Sequence, residues 1–510
     1  MVYLVAMRGR KLVVGALVAL ASFSLSNAHA GEELSELEIY KRCFMRLTRT
    51  VVSDDSPMVA DVKEGRLTGA TACLKLVQRA QLPAATGVLA NPADEVAVDV
   101  IRTLHALHRS WFQTPIVPNN ATTFPLLSDM EEPALYFTRA ALKKNERFDS
   151  VVKSTTGLAG LRVRPGQDKL NNFQAQRFFA YGGTMPYKAD TFFRLSYVDP
   201  VARKLAHIAV PDSEIMQSGS LVGVRNATPL VVPQTIMPGV SDDIGGELAA
   251  ALAKQKLNVD VRKHFGSGVI GSQSFMMMNG NLGGRVLPFE ESKINRRLTA
   301  RIYQDVLCHQ LPTLTAADVE PEVDTKSEHP FRALRTCMQC HSSIDPLAMA
   351  YKGFFHTITS GNPQVPAQVE GVPMVHAFVL APVAGAKQFN LKAPTGRLKY
   401  REHITGNLVE REVSGIAAIG PALAQGKDLY TCAAKRYYQF FTGIDVPLMK
   451  LDPTLKNYEA HKFHQDQVIE LAEVLERTQK VEEVFKLIFN SPAYKSRNYL
   501  STIVKEEAPQ

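Results

Sequence analysis

Near the middle of the chain lies Cys337-Met338-Gln339-Cys340-His341, a C-x-x-C-H pentapeptide. The spacing offers two thiols, each able to add to a vinyl group of one porphyrin, and next to them an imidazole able to reach its iron. That is the chemistry of covalent haem attachment. The competing reading is a zinc site, which needs two further ligands. Cys308-His309 could supply them, but no second C-x-x-C knuckle accompanies the first. The start of the chain favours haem.

Arg8, Arg10 and Lys11 precede an uncharged run from Leu12 to Leu25, and Ala28-His29-Ala30 follows as a small-x-small cleavage pattern. Residues 1–30 therefore read as a secretory signal peptide, with a mature chain beginning near Gly31 in the periplasm, the cell envelope or the medium. No Cys stands at that point for lipid attachment, and no later run approaches the roughly 20 apolar residues of a span, so no transmembrane anchor is expected after cleavage. The leader holds three basic residues and no acidic ones, so its removal lowers the formal charge from +8 to +5. No Lys/Arg run interleaved with aromatics suggests a nucleic-acid groove. The mild positive excess is compatible with an acidic redox partner protein. Oligomeric state is not readable.

Of the six cysteines, Cys43, Cys73, Cys308 and Cys432 remain outside the pentapeptide. An even remainder in an oxidising compartment suggests two disulfides, and four cysteines allow three pairings. The favoured pairing is Cys43–Cys73 as a local staple and Cys308–Cys432 as a long clamp around the haem segment.

Hydrophobic periodicity divides the chain. Residues 31–160 read as helical: Leu34, Leu37, Tyr40, Phe44 and Leu47 make one stripe, Cys73 to Val77 resumes the pattern, and Glu95 to Phe112 carries Trp111. His105 and His108 on that third helix could share a metal, but read better as polar positions of an amphipathic helix. Residues 161–238 form a β-rich insertion, with strand formers at Phe192 to Val198 and short apolar runs at Ile208 and Leu230 between breakers. Residues 239–310 return to helix over Ser241–Lys263 and Ile294–Leu307. Gly266 to Gly271 reads as a linker, and Met276-Met277-Met278 as core filling. Residues 311–510 form the haem domain and C-terminal helices. Here a loop over 313–327 leads to the pentapeptide, an alternating segment at Val372, Met374, His376 and Phe378 suggests a hairpin, and helices are expected at Glu410–Leu423, Asp428–Phe441, Gln465–Arg477 and Val481–Phe489.

From Cys308 to Phe354 the chain resembles a group of exported bacterial proteins, first noted in planctomycetes, assembled from cytochrome-c-like domains of unknown function. The matching residues are Arg297 to Val306-Leu307-Cys308, Leu311-Pro312, Cys337 to His341, and Ile344-Asp345-Pro346-Leu347. Leu429-Tyr430-Thr431-Cys432, Tyr437 to Gly443 and Asn490-Ser491-Pro492-Ala493-Tyr494 continue the likeness. The chain departs at Ala348, where Gly is usual, and over Gly361–Pro394, which looks inserted. The resemblance implies a haem protein of the cell envelope. The expected fold is mainly α, a cytochrome-c-like haem domain joined to a helical N-terminal region with a β-rich insertion.

One haem c is the expected cofactor, attached through Cys337 and Cys340. His341 is the proximal ligand, and its other ring nitrogen needs an acceptor, for which the carbonyl of Asp345 or Pro346 is a candidate. Asp345-Pro346 also reads as a turn. Met374 is the candidate for the distal position; Met349, His356 and His376 compete with it, as does an open site. Electron transfer is the leading function. A peroxidase-like or substrate-oxidising haem enzyme, with His376 or Arg397 assisting an open face, is the alternative. A binding or assembly protein with a structural haem is the third reading, since one haem needs far fewer residues than this chain has.

Overall fold

The computed structural model describes residues 33–112, 132–162, 193–199, 204–208, 221–229, 234–236, 266–272, 275–276, 279, 282–283, 295–352, 354–360, 373–379, 392–455 and 457–497. The leader, the helix expected over Ser241–Lys263, Met277 and Met278 lie outside the described residues.

Helix α1 (Glu36–Thr48) starts at a capping box: the Glu38 amide donates to Ser35 Oγ at 3.3 Å, and the Ser35 amide donates to the Glu38 carboxylate at 2.9 Å. Two donors that a helix start leaves open are thereby satisfied. Its expected stripe is buried at Tyr40, Phe44 and Leu47. Helices α2 (Gly69–Arg79) and α3 (Glu95–Ser110) begin at Thr68 and Asp94, whose side chains accept backbone N–H groups, and α4 (Glu132–Leu142) completes the N-terminal layer.

Strands β1 (Thr156–Arg162), β2 (Phe193–Asp199), β3 (Lys204–Ile208), β4 (Leu221–Pro229), β5 (Gln234–Ile236) and β6 (Leu282–Gly283) follow. Helix α5 (Arg296–Arg301) passes into a π-helical turn, Ile302–Val306, and α6 (Arg335–Ala348) carries the C-x-x-C-H pentapeptide. Strands β7 (Phe354–Ser360), β8 (Pro373–Val379), β9 (Thr395–Arg401) and β10 (Leu408–Ser414) come next, and then helices α7 (Ile416–Leu423), α8 (Asp428–Thr442), α9 (Tyr458–Thr478) and α10 (Val481–Asn490). The described chain is mainly helical. One hydrophobic core runs from Ile39 on α1 through Tyr303 and Leu347 to Tyr494, so the first and last helices are packed together. The Leu34 amide donating to the Lys495 carbonyl at 2.7 Å closes this layer.

Several expectations change. The strands of the β-rich region do not stand apart: a six-stranded mixed sheet has the order β5-β3-β2-β8-β7-β6, in which β2 pairs in parallel with β8 from beyond the pentapeptide. The hairpin expected around Met374 is the antiparallel β7–β8 pair. Gly266 to Gly271 is not a linker but a buried turn, with Gly268 at φ +51° and so close to Val151 that a Cβ would lie 2.2 Å from its carbonyl oxygen. Only glycine fits there. The helix expected over Glu410–Leu423 is strand β10 as far as Ser414, and the 313–327 loop contains the short helix Ala316–Val319.

The cysteines divide differently from the expectation. Cys308 and Cys432 are disulfide-bonded, with Cα atoms 5.3 Å apart and a sequence separation of 124. Cys43 and Cys73 are free thiols, buried where α1 meets α2. Burial, with the neighbouring Cys43 thiol, pushes the Cys73 thiol well up, and Cys73 Sγ donates to the Ile39 carbonyl at 3.8 Å. A protonated thiol in an apolar layer is inert packing.

Candidate functional site

The pentapeptide occupies the first two turns of α6, a helix held from three sides. Thr299 Oγ1 on α5 donates to the Ile344 carbonyl at 3.0 Å, and the Tyr303 hydroxyl of the π-turn lies 3.3 Å from the Ser343 carbonyl and 3.2 Å from that of Lys399 on β9. Thr313 and Ser343 share a hydroxyl hydrogen bond of 2.6 Å. β9 lies so close that a Cβ on Gly396 would come within 2.7 Å of the Pro346 carbonyl oxygen. Pro346 is inside the helix, not in a turn. Its ring removes an amide that would have bonded to the Ser342 carbonyl, and the side chains of α5 and the π-turn hold the two carbonyls that follow.

Cys337, Cys340 and His341 are half-buried. At helical spacing, Cys337 lies on the same face as Cys340 and His341. Both thiols are unbonded, and burial with the nearby Cys337 raises the Cys340 thiol above its ordinary value. His341 Nδ1 is 3.1 Å from Asp345 Oδ2, one helical turn further on. The acceptor is the carboxylate of Asp345, not the expected main-chain carbonyl. Asp345 is gripped by Arg296, with Nε at 2.6 Å from Oδ1 and a terminal nitrogen at 2.9 Å from Oδ2. The Arg296 guanidinium sits 5.2 Å from the Phe331 ring centre, and Phe331 stacks on His341 at 4.4 Å. Asp345, Arg296 and Phe331 thus close a ring of contacts with the imidazole. Among the described residues, His341 Nε2 has no hydrogen-bond partner.

On the other candidates the structure is specific. Met374 is opposite Thr359 in the β7–β8 ladder, His376 opposite Thr357, and His356 opposite Leu282 across β6. The side chains of all three lie outside the described residues. Met349, itself half-buried, opens the turn that follows α6. Arg397 is committed to ion pairs with Glu322 at 2.8 Å and Glu410 at 2.6 Å, so it is not a spare helper for a distal face. His105 and His108 are core histidines. Both contact Thr138 Oγ1, and His108 Nε2 meets the Tyr437 hydroxyl at 2.9 Å.

A second cluster was not foreseen. His309 Nε2 lies 2.7 Å from Asp428 Oδ2, the His403 amide donates to the same carboxylate, and His403 Nε2 lies 3.0 Å from the Leu307 carbonyl. Burial lowers both imidazoles to about 4 and raises Asp428 to about 7. The three side chains offer donor atoms within 4.8 Å of one another. The imidazoles, however, are stacked at 3.7 Å with planes 14° apart. Nearly parallel rings cannot aim in-plane lone pairs at one ion some 2.0–2.1 Å from each. As built, the cluster holds a proton rather than a metal. It also weakens the zinc reading of the pentapeptide, because Cys308 is spent in the disulfide and His309 on Asp428.

His341 and Asp345 stand at i and i+4, a pairing signal visible in the sequence once the helix is allowed to run through Pro346. Nothing local announced Arg296, Phe331 or the His309–His403–Asp428 cluster, whose members meet only in three dimensions. No family model, no curated protein and no solved structure matches the chain.

Proposed function

We propose that the chain is an exported mono-haem c protein of the periplasm or cell envelope whose task is electron transfer to or from a partner protein. The observation that carries this reading is the pentapeptide on α6: two free thiols on the face that also bears an imidazole, with the Nδ1 edge of that imidazole already occupied by Asp345. Cys337 and Cys340 would form the thioether links, and His341 would present Nε2 to the iron. The bound haem would supply a one-electron couple, its potential set by axial ligation and surroundings. Asp345 fixes the tautomer and orientation of His341. Thr299 and Thr313 hold α6 by hydrogen bonds, and Tyr303 ties it to β9. The ion pairs of Arg397 favour electron transfer over an enzyme that needs that residue on an open face.

The test is production of the full chain together with a haem-ligation machinery, followed by a pyridine haemochrome assay. One covalently bound haem per chain is expected, and Cys337→Ala with Cys340→Ala abolishes it. A wild-type protein without haem would overturn the reading. Ferrous protein that binds carbon monoxide at once would replace electron transfer by ligand chemistry.

A further inference from the structure

We infer that Asp345 and Arg296 form an opposed pair that tunes the electron donation of His341, and with it the reduction potential of the centre. The inference rests on the haem reading and deepens it. Asp345 presents a full negative charge, not a neutral carbonyl, to the Nδ1–H of His341 at 3.1 Å. Such a partner draws the proton away from the ring, makes Nε2 a stronger donor and favours the more positive, oxidised metal.

Arg296 works against this. Its hydrogen bonds of 2.6 Å to Oδ1 and 2.9 Å to Oδ2 offset the charge of the carboxylate, and the second competes for the oxygen that faces His341. Its position is fixed independently, because the guanidinium also lies over Phe331, which in turn stacks on His341. The side chain of Asp345 is mostly buried, so its charge is incompletely screened by water. Both are positioning residues: neither would touch the iron.

Opposed roles give opposed signs. Asp345→Asn keeps a neutral acceptor of nearly the same shape and moves the potential upward. Arg296→Gln leaves the carboxylate unopposed and moves it downward. Because Arg296 acts through Asp345, its effect shrinks when Asp345 is already Asn, a coupling that a double-mutant cycle reads directly. A residue needed only for folding would move both variants in the same direction, or neither.

The experiment is a dye-mediated spectroelectrochemical titration of haem-loaded wild type, Asp345→Asn, Arg296→Gln and the double variant, with haem content measured by pyridine haemochrome in each sample. Asp345→Glu, which keeps the charge, restores most of the wild-type value and serves if Asp345→Asn fails to fold. A second readout needs no haem: nitrogen NMR of the unloaded chain finds His341 protonated on Nδ1 in the wild type and shifted toward Nε2–H in Asp345→Asn. Potentials that move together, or a tautomer indifferent to Asp345, overturn the inference while a loaded wild type leaves the haem reading standing. A wild type that takes up no haem removes both.

Discussion

His309 and Asp428, 2.7 Å apart and buried, make the clearest case for a single-residue effect on stability. Asp428 titrates at about 7, and His309 and His403 at about 4. Between about pH 4.5 and 6 the folded cluster holds one proton, on Asp428. Unfolded, the carboxylate is ionised and both imidazoles are charged, so the same groups hold two. Unfolding therefore takes up one proton, and the cluster's contribution to stability rises with pH by about 1.4 kcal/mol per unit in that window. It levels off near pH 7, where the two unfolded imidazoles together and folded Asp428 hold about the same fraction of a proton. Glu402 and Lys435, the other charges acting on the imidazoles, modulate the midpoints but not this count. Asp428→Asn removes the folded proton and leaves two to be taken up, so its acid slope is about twice as steep as the wild-type contribution. His403→Asn equalises the two states and flattens it. Urea unfolding at pH 4.5, 5.5 and 6.5 measures these differences; equal slopes in wild type and Asp428→Asn would refute the assignment of the proton. None of this was legible in the sequence. His309 was visible only as a possible zinc ligand, because His403, in the turn after β9, and Asp428, at the start of α8, lie more than 90 positions away.

At the scale of elements, periodicity was legible wherever one face alone is buried. The stripe of α1, the helix that ends at Ser110 just before Trp111, and α10 were expected close to where they stand, whereas α9 begins seven residues before its expected start. Periodicity misled over 410–414, the part of strand β10 read as the start of a helix; Val409 and Val413, the buried residues of that strand, stand four apart, a spacing compatible with a helix turn as well as with one face of a strand. The pairing with β9 decides in favour of strand. The π-turn was equally invisible, since it is defined by hydrogen bonding and not by composition. Its consequence is local and testable. Tyr303 is fully buried, and its hydroxyl serves carbonyls of both α6 and β9. Tyr303→Phe leaves those acceptors short of a donor and costs about 1–3 kcal/mol. The loss shows as a lower unfolding midpoint, with faster amide exchange in α6 than in α1, which Tyr303 does not touch. A variant with unchanged midpoint and unchanged exchange would mean that the hydroxyl contributes nothing to the hold on the pentapeptide helix.

For the molecule as a whole, the disulfide does what distance along the chain makes hard. Cys308 lies just beyond the π-turn and Cys432 one turn into α8, which is packed in the same core as α1 and α10. The bond therefore ties both ends of a 124-residue excursion, the one that carries α6, to the helical body. Its existence was legible from the even cysteine remainder, whereas the Cys43–Cys73 partner bond was not realised: those thiols face each other inside a layer that packing already holds. Closing so long a loop restricts the unfolded chain, and removing the bond costs about 2–5 kcal/mol. Cys308→Ala with Cys432→Ala should therefore lower the thermal midpoint of the oxidised protein to that of fully reduced wild type. Reductant then distinguishes the two pairs of cysteines. With Cys43 and Cys73 free, dithiothreitol leaves the double variant unchanged, because no bond remains to break. A further drop in midpoint on reduction would reveal a second disulfide and restore the local staple. A double variant as stable as oxidised wild type would show that the core alone holds the excursion in place.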